Sequence, residues 1–229
     1  IDLKNFLENK KIAIVSPALV DKKDGNIIDN SDVVIRTNHY SKNLKSDFII
    51  KGSKSDIIYV NGEQAEHIIK FGVKGWSSSV SWVICKLTHH KELMLKKLLL
   101  DKIRIGKLKL RIFTAVEPAL FNGALNALPN ILIDLSSFNP KEILLYHFDV
   151  MITKERIKGY YLDNLKKISL NEEKLTNVRL RGFAVHDPVT QFIILKSFWK
   201  RGFIKGDFYF NNIIKLTTKD YMKKLQKTY

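Results

Sequence analysis

Three short stretches of this 229-residue chain carry side chains able to do chemistry. His186-Asp187-Pro188 opens an amphipathic run bearing Phe192, Ile193, Leu195, Phe198 and Trp199. Asp187 is placed to cap a helix, and Pro188 suits its first position. His186 then stands before the positive end of that helix, which disfavours imidazolium and leaves a neutral ring fit to take a proton from a hydroxyl. Ser16-Pro17-Ala18 follows the apolar run Ile12 to Val15, and small residues there let a nucleotide approach the backbone. Asn38, which closes Arg36-Thr37-Asn38, offers a donor and an acceptor without charge, as a pyrimidine or a ribose requires.

Each of these groups needs an element to deliver it. Ile12 to Val15 and Asp32 to Ile35 are short, continuously apolar runs, the pattern of strands buried on both faces of a parallel sheet. A third strand, Asp56 to Val60, ends at Asn61-Gly62, where an Asn-Gly turn is a sufficient explanation. A further strand falls within Trp76 to Lys86. Pro129 opens a helix running through Leu135, with Asn139-Pro140 as its stop, and a strand follows from Ile143 to Phe148. A short leading helix occupies Ile1 to Lys10, with Asp2 as N-cap and Leu3, Phe6 and Leu7 on one face. A last strand is expected over Asp207 to Phe210, then a basic tail. No linker rich in Pro, Gly or Ser divides the chain, so residues 1–229 form one α/β domain in this reading.

The formal charge of +16 calls for an anionic partner. Lysines are spread along the chain with no recognition-helix, zinc-finger or RNP-like pattern, which argues against nucleic acid. Between Lys91 and Arg111, Leu and Ile alternate with Lys, either as a core helix and strand with a solvated basic face or as a surface resting on anionic lipid. No apolar run reaches the length of a membrane span, and the first residues lack the apolar centre of a signal peptide, so a cytoplasmic setting is expected. Cys85, the single cysteine, sits in an apolar strand as a small buried hydrophobe. His89-His90 has no second ligand pair at metal spacing, and there is no Asp-X-Asp, so no metal is expected. Residues 153–178 are polar and charged, either a lid over a site or a solvated surface helix.

The order of these blocks resembles that of the sialyltransferases. In that family a strand ending in a small-residue loop precedes a strand ending Arg-X-Asn, a second motif runs from a turn through a buried helix to a strand, and a histidine precedes the last large helix. The resemblance implies a single α/β/α Rossmann-like domain with a mainly parallel sheet, a GT-A type variant with residues 153–178 as its lid. It implies that Ser16, Pro17, Ala18 and Asn38 hold CMP, that Asn61 lies beside the donor sugar and phosphate, and that the helix N-terminus at Ala127-Leu128-Pro129 binds the donor through its backbone. Tyr160 or Tyr161 would hydrogen-bond the departing phosphate, and His186 would deprotonate the acceptor. Departures are Ser16 and Pro17 in place of Gly-Asn or Gly-Pro, Ala127-Leu128-Pro129 in place of Ser/Thr-Gly, and Met151 in place of a tyrosine, for which Lys154, Arg156 or Lys158 would compensate by charge.

The implied reaction moves sialic acid from CMP-sialic acid, without metal, to a hydroxyl of an oligosaccharide or glycolipid acceptor of a bacterial surface glycan. A cytoplasmic enzyme that touches the anionic inner face of the inner membrane would fit. Two other readings stand beside it. One is a Kdo transferase of capsule or lipopolysaccharide assembly using CMP-Kdo, since His186-Asp187-Pro188 is also similar to the His-X-Pro element of those enzymes. The other is a non-catalytic glycan- or membrane-docking module.

Overall fold

Short apolar runs that cannot face water on either side must be stacked side by side and covered twice. The computed structural model, which describes residues 2–18, 20–37, 48–61, 65, 68, 79–87, 108–114, 125–152 and 186–228, does this with one open sheet. Its strands are β1 (Lys11–Val15), β2 (Val33–Thr37), β3 (Ile57–Val60), β4 (Trp82–Leu87), β5 (Lys109–Thr114), β6 (Glu142–Tyr146) and β7 (Lys205–Gly206). They lie in the order β5-β4-β3-β2-β1-β6-β7, and every pairing is parallel. This is an α/β Rossmann-like domain. The strand order reverses between β1 and β6, where Val15 lies beside Tyr146.

Alternation along the strands sorts the core onto two faces. Ile12, Ile14, Val33, Ile35, Ile57, Tyr59, Ile143 and Leu145 share one cluster with α1 (Leu3–Leu7), α4 (Ala127–Leu135), α5 (Pro188–Lys200), α6 (Phe208–Ile214) and α7 (Thr218–Thr228). Ala13, Val15, Val34 and Tyr146 face the other way onto Ile28 of α2 (Gly25–Asp29). Ile58, Val60, Val83 and Cys85 pack on that second side with Ala65 and Ile68. Cys85 is fully buried, as a small core side chain should be.

A glycine sets how closely α2 meets α3 (Phe48–Lys51). A Cβ on Gly25 would stand 2.0 Å from the carbonyl oxygen of Phe48, so only glycine permits this approach.

Several boundaries differ from expectation. Asp207 to Phe210 is not a strand: β7 is only Lys205–Gly206, and Asp207 caps α6 by accepting the Phe210 N–H at 2.8 Å. The apolar run Phe208, Tyr209, Phe210 has strand-like composition, but a capping carboxylate before it starts a helix instead. The basic tail is helical, as α7, because Tyr221 and Leu225 supply a buried stripe. The sixth strand ends at Tyr146 and not at Phe148, since His147 turns into the left-handed region at φ 61°. The helix α4 starts at Ala127, which puts Pro129 inside its first turn. Asp2 does precede α1, but its side chain makes no capping hydrogen bond.

Candidate active site

In open parallel sheets, ligands sit at the carboxyl ends of the strands where the order reverses. Here that place lies between the loop after β1 and the loop after β6, joined where Ser16 N donates to Tyr146 O at 3.0 Å. The first loop is held from below by a buried ammonium. Lys51, 2% exposed, donates from Nζ to Ser16 O (2.7 Å) and Ala18 O (2.6 Å), and Ala18 N donates to Ser16 Oγ (3.1 Å). Arg36 at the end of β2 fixes Lys51 in turn, donating to the carbonyls of Lys51 (2.8 Å), Gly52 (3.0 Å) and Lys54 (3.0 Å). Burial lowers the Arg36 pKa to about 10, partly offset by Asp29 and Asp56, so the guanidinium stays charged at neutral pH.

The loop after β6 is strained. His147, Val150 and Met151 have φ of 61°, 46° and 65°, and for a β-branched residue such as Val150 that is a true outlier. Strain of this kind persists only where surroundings over-determine it, and it gathers at functional sites. The surroundings are visible: Asp207 Oδ2 accepts His147 N (2.7 Å), Val150 O accepts Tyr221 Oη (2.7 Å), and Asn126 Nδ2 contacts Met151 Sδ at 3.1 Å.

From Met151 the connection runs to the two helix ends. Asn126 is the N-cap of α4, but its side chain is spent on Met151 and makes no cap. Its own N–H is taken by Gln191 Oε1 of α5 at 2.9 Å. Asn130 Nδ2 donates to Leu125 O and Asn126 O, both at 2.9 Å. The start of α5 is firmly capped: Asp187 Oδ1 accepts Val189 N (2.9 Å) and Thr190 N (3.1 Å), and Thr190 Oγ1 donates to Oδ2. Burial by itself would raise the Asp187 pKa, but these hydrogen bonds outweigh it and hold the carboxyl below its ordinary value.

Five buried side-chain atoms have no hydrogen-bond partner among the described residues, and three of them, Asn130 Oδ1, Gln191 Nε2 and His147 Nδ1, lie along this path. Native interiors leave few such atoms, and each calls for an explanation such as a water, a ligand or a catalytic role.

Of the residues singled out by sequence, Ser16, Pro17 and Ala18 lie in the β1 loop, Pro129 in the first turn of α4, and His186, half-buried, just before the Asp187 cap. Contacts run from the β1 loop through Tyr146 and the strained loop to Asn126 at the start of α4, and from Asn126 to Gln191 in the first turns of α5. Asn61 is exposed at the end of β3, and its carbonyl accepts Ala65 N (2.9 Å). Asn38, Tyr160, Tyr161, Lys154, Arg156, Lys158, His89 and His90 lie outside the described residues, as do the lid segment 153–178 and most of 91–111.

Sequence reading missed Lys51, His147, Asp24, Asn126 and Gln191. A lysine in a polar turn and a histidine inside Tyr146-His147-Phe148 carry no motif; only Asp187 announced itself, through Pro188. Two of the missed groups, Asp24 and His147, form with Asp207 the one metal-capable cluster among the described residues, their ligand atoms within 4.8 Å of one another. His147 Nε2 lies 3.1 Å from Asp24 Oδ2. The His147 pKa is lowered, first by burial and then by Lys51, against the pull of Asp24 and Asp207, so the pair is a neutral imidazole on a carboxylate. Two cations already face the cluster, Lys22 at 3.1 Å from Asp24 Oδ1 and Lys51 beside His147. The group thus lies next to two ammonium charges.

No protein-family model matches this chain, and no curated protein matches it. What the fold and site define is a class: an open, all-parallel α/β domain with a polar, strained loop at its switch point.

Proposed function

We propose that this protein is a CMP-sugar-dependent glycosyltransferase that uses no metal, with CMP-sialic acid as donor and a sugar hydroxyl as acceptor. The reading is supported by the run of contacts from the β1 loop through Tyr146 and Met151 to Asn126 at the start of α4, and from Asn126 to Gln191 of α5, the helix that His186 precedes in the chain. A nucleotide laid on the Ser16-Pro17-Ala18 loop would have its phosphate near fixed positive charge, since the Lys51 ammonium holds the carbonyls of that loop, and the N-terminus of α4 would add the positive end of a helix dipole.

The chemistry would be a direct displacement. His186 takes the proton of the acceptor hydroxyl as that oxygen attacks the anomeric carbon, and the bond from that carbon to the CMP phosphate oxygen breaks. CMP leaves with its electron pair. Tyr160 or Tyr161 and Asn38 enter this reading as further donor contacts, and Asn61 as a contact to the sugar. A basic chain suits a donor carrying both a carboxylate and a phosphate.

Calorimetric titration with CMP, UDP and GDP in the presence of EDTA tests the nucleotide; tighter binding of UDP or GDP than CMP rejects the assignment. Transfer assays with CMP-sialic acid and CMP-Kdo side by side then decide the sugar. Turnover with CMP-Kdo alone moves the protein to the Kdo transferases, and CMP binding with no turnover of either donor leaves the docking-module reading.

A further inference from the structure

The last three helices expose an unusual mixture. Of the six large apolar side chains that stand exposed among the described residues, three come from this unit: Ile193 of α5, Phe208 of α6 and Met222 of α7. Phe208 is 73% exposed, far more than a packing phenylalanine tolerates. The same unit, residues 186–228, carries eight lysines and one arginine against three carboxylates. Two of those carboxylates, Asp187 and Asp207, are occupied as helix caps. The third, Asp220, accepts from Thr217 Oγ1 at 2.7 Å.

On α7 these features fall into one stripe. Lys219, Met222, Lys223, Gln226 and Lys227 recur at helical spacing and are all exposed, while Tyr221 and Leu225 on the opposite side are buried. The buried side ties the helix to the candidate site. Tyr221 stacks on Phe192 with ring centroids 4.2 Å apart, and its hydroxyl donates to Val150 O in the strained loop and, at 3.4 Å, to Pro188 O beside His186.

We propose that the exposed stripe of α7, with Met222 among its lysines and Ile193 and Phe208 on the adjoining helices, rests the protein on an anionic phospholipid surface. Lysine suits this role because its stem lies along apolar surface while its ammonium reaches the headgroups. Arginine, whose planar fork reads phosphates two oxygens at a time, would be expected on a nucleic-acid face, and this unit has only Arg201. The exposed apolar side chains are of little use to a solvated charged face, but they gain from burial at a lipid boundary. Docking does not depend on the transferase reading. What rests on that reading is its use: Tyr221 would hold the strained loop and His186 near the headgroups, where a lipid-linked acceptor presents its sugar.

The test is flotation of the full chain with vesicles of phosphatidylcholine alone and of phosphatidylcholine mixed with phosphatidylglycerol, without substrate, so that the result stands apart from any assay of transfer. Binding to the mixed vesicles only, released by high salt, is expected. Lys223→Gln and Lys227→Gln should each weaken it about fivefold, and Met222→Ser should weaken it without changing the salt dependence, all three with unchanged thermal melts. Equal binding to neutral vesicles, no binding to anionic ones, or wild-type binding by all three variants overturns the proposal. Tighter retention of duplex DNA than of anionic vesicles would overturn it in favour of a nucleic-acid face.

Discussion

Gln191 and Asn126 meet through one hydrogen bond, 2.9 Å from the Asn126 N–H to Gln191 Oε1, and that bond fastens the start of α5 to the start of α4. The other end of the same amide, Nε2, is buried without a partner. Gln191→Leu would remove that donor but leave the Asn126 N–H unpaired, and should cost roughly 1–3 kcal/mol of stability. Gln191→Glu keeps the acceptor and replaces the unpartnered donor with an oxygen. If that donor faces the nucleotide phosphate, Gln191→Glu should weaken CMP at least tenfold in calorimetry, with a lowered melting temperature from the buried carboxylate; equal CMP affinity would confine Gln191 to joining the helices.

Lys51 offers a second test, because its ammonium holds two carbonyls of the β1 loop. Lys51→Met fills most of the same volume and removes the charge, so Ser16 O and Ala18 O lose a charged donor. A loss of roughly 1.5–3 kcal/mol is expected in urea unfolding. Lys51→Arg should not rescue it, since a planar fork cannot take the place of a compact ammonium in that space.

The buried imidazole of His147 gives stability a pH dependence of known sign. Its folded pKa lies below the ordinary histidine value because burial and Lys51 oppose the charge. The unfolded chain therefore takes up this proton first, and stability falls as pH drops below about 6.5 until the folded value is passed. Thermal melts should be highest at neutral pH and above. In His147→Asn, which tolerates the positive φ but cannot titrate, the melting temperature should be lower at neutral pH and should change less between pH 7 and pH 5.

For His186 the expectation separates chemistry from folding. His186→Ala should reduce transfer by about 10²–10⁴-fold while CMP affinity and melting temperature stay close to wild type. A large loss of stability would make it a packing residue, and full activity would remove it from the mechanism. Asp187 next to it should behave in the opposite way: Asp187→Ala costs about 1 kcal/mol through the lost cap.

Much of the fold was legible because buried parallel strands announce themselves as short apolar runs, and β1, β2, β3 and β4 fall where Ile12, Val33, Ile57 and Val83 place them. The cap at Asp187 was legible for a similar reason, since Pro188 marks the first turn of a helix. Asp207 was misread because a cap and a strand start share the pattern of a polar residue before aromatic ones; only the hydrogen bond to Phe210 N separates them. The lower half of the site was not legible at all. Lys51 and Ser16 are neighbours only after two strands are laid side by side, and His147 meets Asp24 across the sheet edge, so neither pairing leaves a local signal.

The sheet order has a consequence for how the chain is made. Strand β1, inside the sheet, pairs on one side with β2 soon after synthesis, but its other edge waits for β6, since Lys11 lies opposite Glu142. At ribosomal speeds of about 5–20 residues per second, the roughly 130 intervening residues leave that edge bare for on the order of ten seconds. A nascent chain stalled before β6 would present Ile12 and Ile14 with unpaired backbone, an open template for pairing with another copy. Truncation between β5 and β6 should thus yield aggregates, and chaperone demand during translation should peak before residue 142 is made.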